Sequence, residues 1–388
     1  MSDSEVHAAP AEVRRSGHSF GSGEPFSVGI EEELLLVDPA TLELAHVADR
    51  ILPAIELPEG RADHEAFLAE IELRSSPQSD TAAAVAELAE NRAAARAAGA
   101  TLMGVGLHPD ADYGDVQLVD SERYRRVEGE MRGLIKRTPE CALHVHVGMP
   151  DPEAAVAAST GLREALPLIQ GLGAGSPFWF GFDSGLASAR SAMVRGYPGR
   201  GAPPPLRSWD EYLAELEAIG AGGGPQDHTM VWWDVRLQPR LGTIELRELD
   251  VQAGLDEAAG MAALVRALAR RAVEAPVERP VPAQTLAWSW FRATRDGLDA
   301  EVAQGDRLVP LRELARDTLD ALGREDPALD GVEKILSEGN GADRQRAAFA
   351  RGGMPALLEY LAAETARPLG GRAGVAGRAR ARPATESA

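Results

Sequence analysis

Four short segments of this chain alternate between aliphatic side chains and side chains that carry charge or bind metal. A two-residue period of this kind is the mark of strands with one buried face. In residues 29–34, Glu31 and Glu33 share one face while Ile30, Glu32 and Leu34 share the other. In residues 143–148, His144 and His146 stand together, opposite Leu143, Val145 and Val147. In residues 243–248, Glu245 and Arg247 stand together, backed by Ile244 and Leu246. Residues 70–74 repeat the pattern and contribute Glu72. The segments 231–238 and 243–249, joined by Pro239-Arg240-Leu241-Gly242, predict an antiparallel hairpin with Asp234 and Arg236 on one face and Trp233, Val235 and Leu237 on the other.

The remainder of the folded sequence is mainly helical. Residues 80–98 are rich in alanine behind the N-cap candidate Asp80, and residues 120–136 form a second candidate. Asp151-Pro152-Glu153 is a strong helix start, and helices dominate beyond Leu255. Strands 26–37, 101–107 and 141–149, together with the hairpin, give an α+β class: a largely antiparallel sheet with helices segregated from it. One domain over 26–367 is expected, with disordered tails at 1–25 and 368–388, the latter basic at Arg372, Arg378, Arg380 and Arg382. Glycine- and proline-rich loops at 195–207 and 220–225 are candidate lids.

Charge and cysteine content exclude several partners. The 388 residues carry 40 basic and 60 acidic side chains, and a formal charge of −20 argues against a nucleic-acid surface. The lone Cys141 rules out an internal disulfide and a cysteine-based zinc cage, and points to a reducing compartment. Residues 1–24 lack an apolar stretch, and the uncharged run 165–182 is broken by Pro167, Gly171, Gly173, Gly175 and Pro177. A cytoplasmic protein with no membrane partner is therefore expected.

If the patterned strands are neighbours, Glu31, Glu33, Glu72, His144 and Glu245 converge on one sheet face. Several carboxylates can share such a place only when cations neutralise them. Oxygen donors with one imidazole suit Mg²⁺, or alternatively Mn²⁺. Cations on carboxylates beside arginines are what phosphoryl transfer requires. Because no Walker loop is present, a nucleotide site here has to be built on the sheet itself. Against that, Glu32 and Glu248 fall on the opposite face and read as structural or solvent-exposed. His108 reads as a loop residue, and Trp232, Trp233, Trp288 and Trp290 read as packing residues.

The set SVGIEEELLLVDP, IELRSSPQ, LHVHVGM, SPFWFGFDSGLASARS and WWDVRLQPRLGTIELRELD resembles, in order, the carboxylate–amine ligase YbdK family, the type 2 glutamate–cysteine ligases of the glutamine synthetase-like superfamily. The resemblance runs from about Phe26 to Ala366. It implies a curved antiparallel sheet with helices on its convex side, Mg²⁺ ligation by Glu31, Glu33, Glu72, His144 and Glu245, and His146 near substrate or phosphates. It further implies that Arg247 stabilises the transferring phosphoryl group and that Arg190 and Arg236 hold ATP or the carboxylate substrate. Arg123 and Tyr124 match a recurrent pair, while the segment around Arg190 departs from the family form at Ala189. A homodimer is implied in the same way.

The reading that follows is an ATP- and Mg²⁺-dependent ligase. It would join small-molecule carboxylate and amine substrates, amino acids, through an acyl phosphate, giving a γ-glutamyl-type amide. A phosphotransferase related to the guanidino kinases and a non-catalytic nucleotide- or metal-binding protein are the two alternatives.

Overall fold

Alternation in the first strand segment is realised as β1 (Val28–Leu36), the strand around which the sheet is assembled. The structure, a computed structural model, describes residues 17–225, 227–323 and 325–370. The other strands of the main sheet are β2 (Ala62–His64), β3 (Glu70–Arg74), β4 (Leu102–Met103), β5 (Ala142–Gly148), β6 (Val235–Gln238) and β7 (Thr243–Asp250). They form a seven-stranded sheet in the order β2-β3-β1-β5-β7-β6, with β4 also paired to β1. Every ladder in it is antiparallel, and β6 and β7 form the expected hairpin. The fold is α+β, as the segregated pattern predicts.

One face of the sheet is aliphatic and is covered by helices. α1 (Thr81–Ala97) starts where Asp80 accepts a hydrogen bond from the Ala83 N–H at 2.8 Å. Before α3 (Pro152–Gly173), Asp151 does the same for Ala154 at 2.8 Å, and Pro152 fills the first turn. Ile30, Val145, Ile244 and Leu246 pack here with Leu162, Ile169 and Leu172 of α3 and with Met261 and Val265 of α5 (Leu255–Glu274). Close approach is enforced at Gly173, where a Cβ would come within 2.3 Å of the Leu249 side chain. Two helices lie on the other side of the sheet: α2 (Glu122–Met131) and α4 (Ala189–Val194) both contribute side chains to the cavity described below.

The uncharged run 165–182 becomes the end of α3 and the hairpin after it, and among the described residues no helix is long and apolar enough to cross a membrane. The amino-terminal boundary lies earlier than expected. Phe20 is buried, Ser19 N donates to Pro239 O at 2.8 Å, and Gly21 N donates to Met149 O at 2.9 Å. Residues 1–16 and the basic segment 371–388 lie outside the described residues.

Glu32 does face away from its neighbours Glu31 and Glu33, but it is not exposed. Its carboxylate takes Nε (2.9 Å) and Nη2 (2.6 Å) of Arg92 from α1 beneath the sheet, with both side chains essentially inaccessible. Arg92 also donates to the backbone carbonyls of Gln252 and Ala253, tying α1 to the start of α5. Removing one partner of such a pair leaves a buried uncompensated charge. Glu32→Leu is therefore expected to lower unfolding stability by about 3–5 kcal/mol, as measured by urea denaturation. A loss within about 0.5 kcal/mol, the usual range for surface changes, would show that Arg92 is satisfied by the carbonyls alone.

Candidate active site

Register places the polar residues of five strands in one row. Across β1 and its neighbours Glu33 lies opposite Glu72, and Glu31 opposite His144; further along, His146 lies opposite Glu245, which lies opposite Arg236. His144 Nδ1 is 3.3 Å from Glu31 and its Nε2 is 3.6 Å from Glu33. His146 Nε2 is 3.5 Å from Glu31 and 3.9 Å from Glu245. All five predicted ligands, Glu31, Glu33, Glu72, His144 and Glu245, are thus brought together. Three overlapping sets have donor atoms within 4.8 Å of one another: Glu31, Glu72 and His144; Glu31, His146 and Glu245; Glu33, Glu65 and Glu72. Glu65 was missed because it lies just beyond β2, in the connection to β3, where strand alternation gives no guide.

The electrostatics of this row are those of a cluster short of positive charge. Burial, and then the charges of Glu31 and Glu65, push the Glu72 carboxyl up to about 8. Burial and the neighbouring Glu65 raise Glu33 well above the carboxylate range, and burial raises Glu65 itself. Burial also opposes ionisation of Glu31 and Glu245, but His146 and His144 hold the first well below its usual value, and Arg247 and Arg236 hold the second there. His144 is pushed down to about 3 by burial and by Arg247, so its imidazole is neutral, the form that ligates a metal. His146 is raised instead, because Glu31 and Glu245 outweigh its burial. Carboxyls that keep protons to avoid one another, beside a neutral imidazole, are a donor set that fits a hard divalent cation.

Beside the row lies a cavity of about 110 Å³ walled by guanidinium groups. Arg247 enters from β7, Arg190 from α4 and Arg123 from α2. Arg247 donates Nη1 to Glu245, while its buried Nε has no hydrogen-bond partner. Arg190 donates Nη1 to the Glu248 carbonyl at 3.3 Å and lies 3.4 Å from Glu140 and 3.6 Å from Asp250. Ser188, beside Ala189 in the departing segment, caps α4 and donates to Asp250 at 3.1 Å. Tyr124 lines the cavity next to Arg123. Arg236 is not brought to it: its guanidinium takes Glu245 at 2.9 and 3.2 Å and the Thr229 carbonyl at 2.6 Å.

Sequence reasoning missed three further groups. Glu70 stands in the same strand row as Glu72. It lines the cavity with Oε2 buried and unpartnered, while Cys141 Sγ donates to its other oxygen at 3.4 Å. Extending the alternation by two residues finds it. Arg200 lies in the loop read as a lid and lines the cavity. Glu248 is a correction. Leu143 pairs with Leu249 and Val145 with Leu246, so β7 carries one extra residue at this point. Such a bulge re-aims the side chains that follow it. Glu248 leaves the aliphatic row and accepts Trp290 Nε1–H at 2.7 Å, while Asp250 reaches Ser176 and Gly175 on the other side. His108 is buried against the Leu42 carbonyl at 2.8 Å, and Trp288 is exposed rather than packed.

The family described as Glutamate-cysteine ligase family 2 (GCS2) matches residues 27–360. A protein of Rubrobacter xylanophilus that carries the provisional name glutamate–cysteine ligase 2-3 is 38% identical over 366 residues, covering 89% of this chain and 99% of that one. A protein of Paracoccus denitrificans provisionally named glutamate–cysteine ligase 2 is 34% identical, covering 84% of this chain and 91% of its own. The fold is shared, at 14% identity and a TM-score of 0.65, with a crystal structure of glutamate–cysteine ligase from Francisella tularensis in complex with AMP, covering 88% of this chain and 89% of that one. A bifunctional glutathione synthetase from Pasteurella multocida is similar at a TM-score of 0.62 and 14% identity, covering 88% of this chain and 51% of that one.

Burial, and next the charge of Asp234, push the Glu248 carboxyl from 4.5 up to about 8. The folded state therefore holds a proton that the unfolded chain releases near 4.5, and the stability this contributes is lost as pH rises through about 8. The wild-type Tm is expected to fall between roughly pH 7 and 9 by several degrees more than that of Glu248→Gln, which is neutral throughout. Parallel Tm curves in differential scanning calorimetry would mean that Glu248 is already charged at neutral pH.

Proposed function

The chain belongs to Glutamate-cysteine ligase family 2, and from that premise we propose that it is an ATP- and Mg²⁺-dependent ligase joining a carboxylic amino acid to an amine in a γ-glutamyl-type amide. One observation carries this reading beyond membership: the acid–histidine row and the guanidinium-walled cavity adjoin on one sheet face, sharing Glu33, Glu65, His144 and Arg247. Such a juxtaposition suits a reaction that must hold nucleotide phosphates and an anionic acceptor side by side.

Glu31, Glu33, Glu65, Glu72, His144 and Glu245 would hold Mg²⁺, with Mn²⁺ as the alternative ion. When bound, it would neutralise phosphate charge and supply the positive charge that this row of carboxyls lacks. The side chains do the rest. A substrate carboxylate oxygen attacks the γ-phosphorus of ATP and ADP leaves; the amine then attacks the acyl phosphate, and inorganic phosphate leaves as the amide forms. Arg247 is suited to the migrating phosphoryl group, because its Nε has no other partner and Glu245 fixes its Nη1. Arg190, held by Glu140, Asp250 and a carbonyl, is suited to the substrate carboxylate or the nucleotide. His146 is oriented by the Thr243 hydroxyl at 3.0 Å, and with its raised pKa it is suited to a phosphate oxygen. α2 covers the cavity, and excluding water there protects an acyl phosphate from hydrolysis.

Glutamate with cysteine is the substrate pair we favour. Purified protein given ATP, Mg²⁺ and pooled amino acids is expected to release ADP only when a carboxylic substrate and an amine are both present, with the amide visible by mass spectrometry. A stable phosphorylated product without amide would instead favour guanidino-kinase-like transfer, and ATP binding without turnover would favour a binding protein. Glu33→Gln is expected to stay folded by circular dichroism while ADP release falls by roughly a hundredfold or more. Full activity in that variant would remove Glu33 from the cation site.

A further inference from the structure

The glycine- and proline-rich loop after α4 is tied down rather than free. Asp234, fully buried just before β6, takes Arg195 Nη1 at 2.9 Å with one carboxylate oxygen and lies 3.2 Å from Arg200 Nε with the other. Its own N–H donates to the Gly201 carbonyl at 2.8 Å. Arg200 Nη2 donates to the Arg247 carbonyl at 3.1 Å and lies 3.9 Å from Glu248. Behind these groups Trp290 of α6 (Ala283–Asp296) donates Nε1–H to Glu248 at 2.7 Å, and Arg195 lies flat on its ring, 3.7 Å from the centroid. The Gly201 turn has φ +134°, and a Cβ there would come within 2.7 Å of Arg195 Nη1, so the turn that delivers Arg200 requires glycine.

Buried guanidinium–carboxylate groups add little stability over well-packed apolar residues, so their retention calls for another use. Here the use is orientation. A guanidinium has five N–H donors in a rigid plane. The Arg247 carbonyl takes Nη2 of Arg200 in a hydrogen bond, Asp234 stands 3.2 Å from Nε as an ion pair without a hydrogen bond, and Nη1 donates to neither. Arg200 lines the cavity that Arg190 and Arg247 also line, whereas Asp234, Glu248 and Trp290 do not reach it.

We propose that Arg200 is a specificity-determining residue that receives an anionic group of the carboxylic substrate, and that Asp234 and Trp290 are positioning residues acting through it. Asp234 faces the Arg200 guanidinium at Nε with one oxygen and takes Arg195 with the other, and Trp290 holds Arg195 and Glu248 so that Asp234 cannot turn away. This inference rests on the ligase reading, and the test separates the two.

Steady-state ADP release is measured with the carboxylic amino acid that supports wild-type turnover, varied at saturating ATP and amine, and then with ATP varied. Asp234→Asn keeps the shape and loses the charge. Its KM for the carboxylic substrate is expected to rise about tenfold, the size of a coupling between contacting charged side chains. KM for ATP and kcat should stay within about twofold. Trp290→Phe should raise the same KM by roughly threefold. Arg200→Lys, which keeps the charge, should recover part of the loss caused by Arg200→Gln. Wild-type turnover combined with unchanged carboxylic-substrate KM in Asp234→Asn overturns this inference alone. So does a fall in kcat with every KM unchanged, the sign of a smaller folded fraction. If the wild type turns over no carboxylic amino acid, the ligase reading falls and takes the inference with it.

Discussion

Carboxylates confined to one face of a sheet repel each other, and burying them removes the water that would otherwise screen the repulsion. In this protein that constraint decides what surrounds each acid. Glu32, turned to the helix face, has a guanidinium of its own in Arg92. Glu245, on the other face, is held by Arg236, Arg247 and the Gln238 amide. Glu72 is paired with Arg74 and Glu33 accepts the Ala142 N–H, yet burial and the neighbouring carboxylates still push Glu33, Glu65 and Glu72 toward their protonated forms. The protein thus neutralises some of its buried acids with its own cations and leaves others, Glu33, Glu65 and Glu72, short of positive charge.

The same logic orders the arginines. Those with most of their donors committed, Arg92 and Arg236, are fixtures of the fold. Arg247 and Arg200 are held on one side and open on the other, toward a common cavity. A side chain that is positioned but not saturated is prepared for an anion, because orientation has already been secured when the ligand arrives. Arg190 stands between these extremes, braced by Glu140, Asp250 and a carbonyl while still lining the wall.

Much of this was legible from a period of two. Alternation in four strands assigned Glu31, Glu33, Glu72, His144, His146, Glu245 and Arg247 to one face, and antiparallel register brought them into one row. What escaped has specific causes. Alternation assumes an unbroken ladder, and the extra residue between Leu246 and Leu249 breaks it, so Glu248 leaves the aliphatic row to which alternation assigned it. Glu65 and Arg200 sit in connections, where side-chain direction depends on tertiary packing and no period exists to be read. The loop carrying Arg200 has the composition of a lid, but composition does not reveal that a buried aspartate across the sheet edge holds it.

The bulge is also what joins the two halves of the site. An unbroken β7 would send Glu248 and Asp250 into the aliphatic layer that receives Ile244 and Leu246, where an unpaired carboxyl is costly. With one residue added, Leu249 keeps its place against α3 and Asp250 meets the seryl hydroxyls that set α4, and with it Arg190. Glu248, set free beside Asp234, closes the group around Arg200. A single irregularity in one ladder thereby positions guanidiniums from two separate segments against a row of acids drawn from regular strands. The regular part of the sheet supplies the row of acids and imidazoles, and the break in its regularity supplies the wall that faces it.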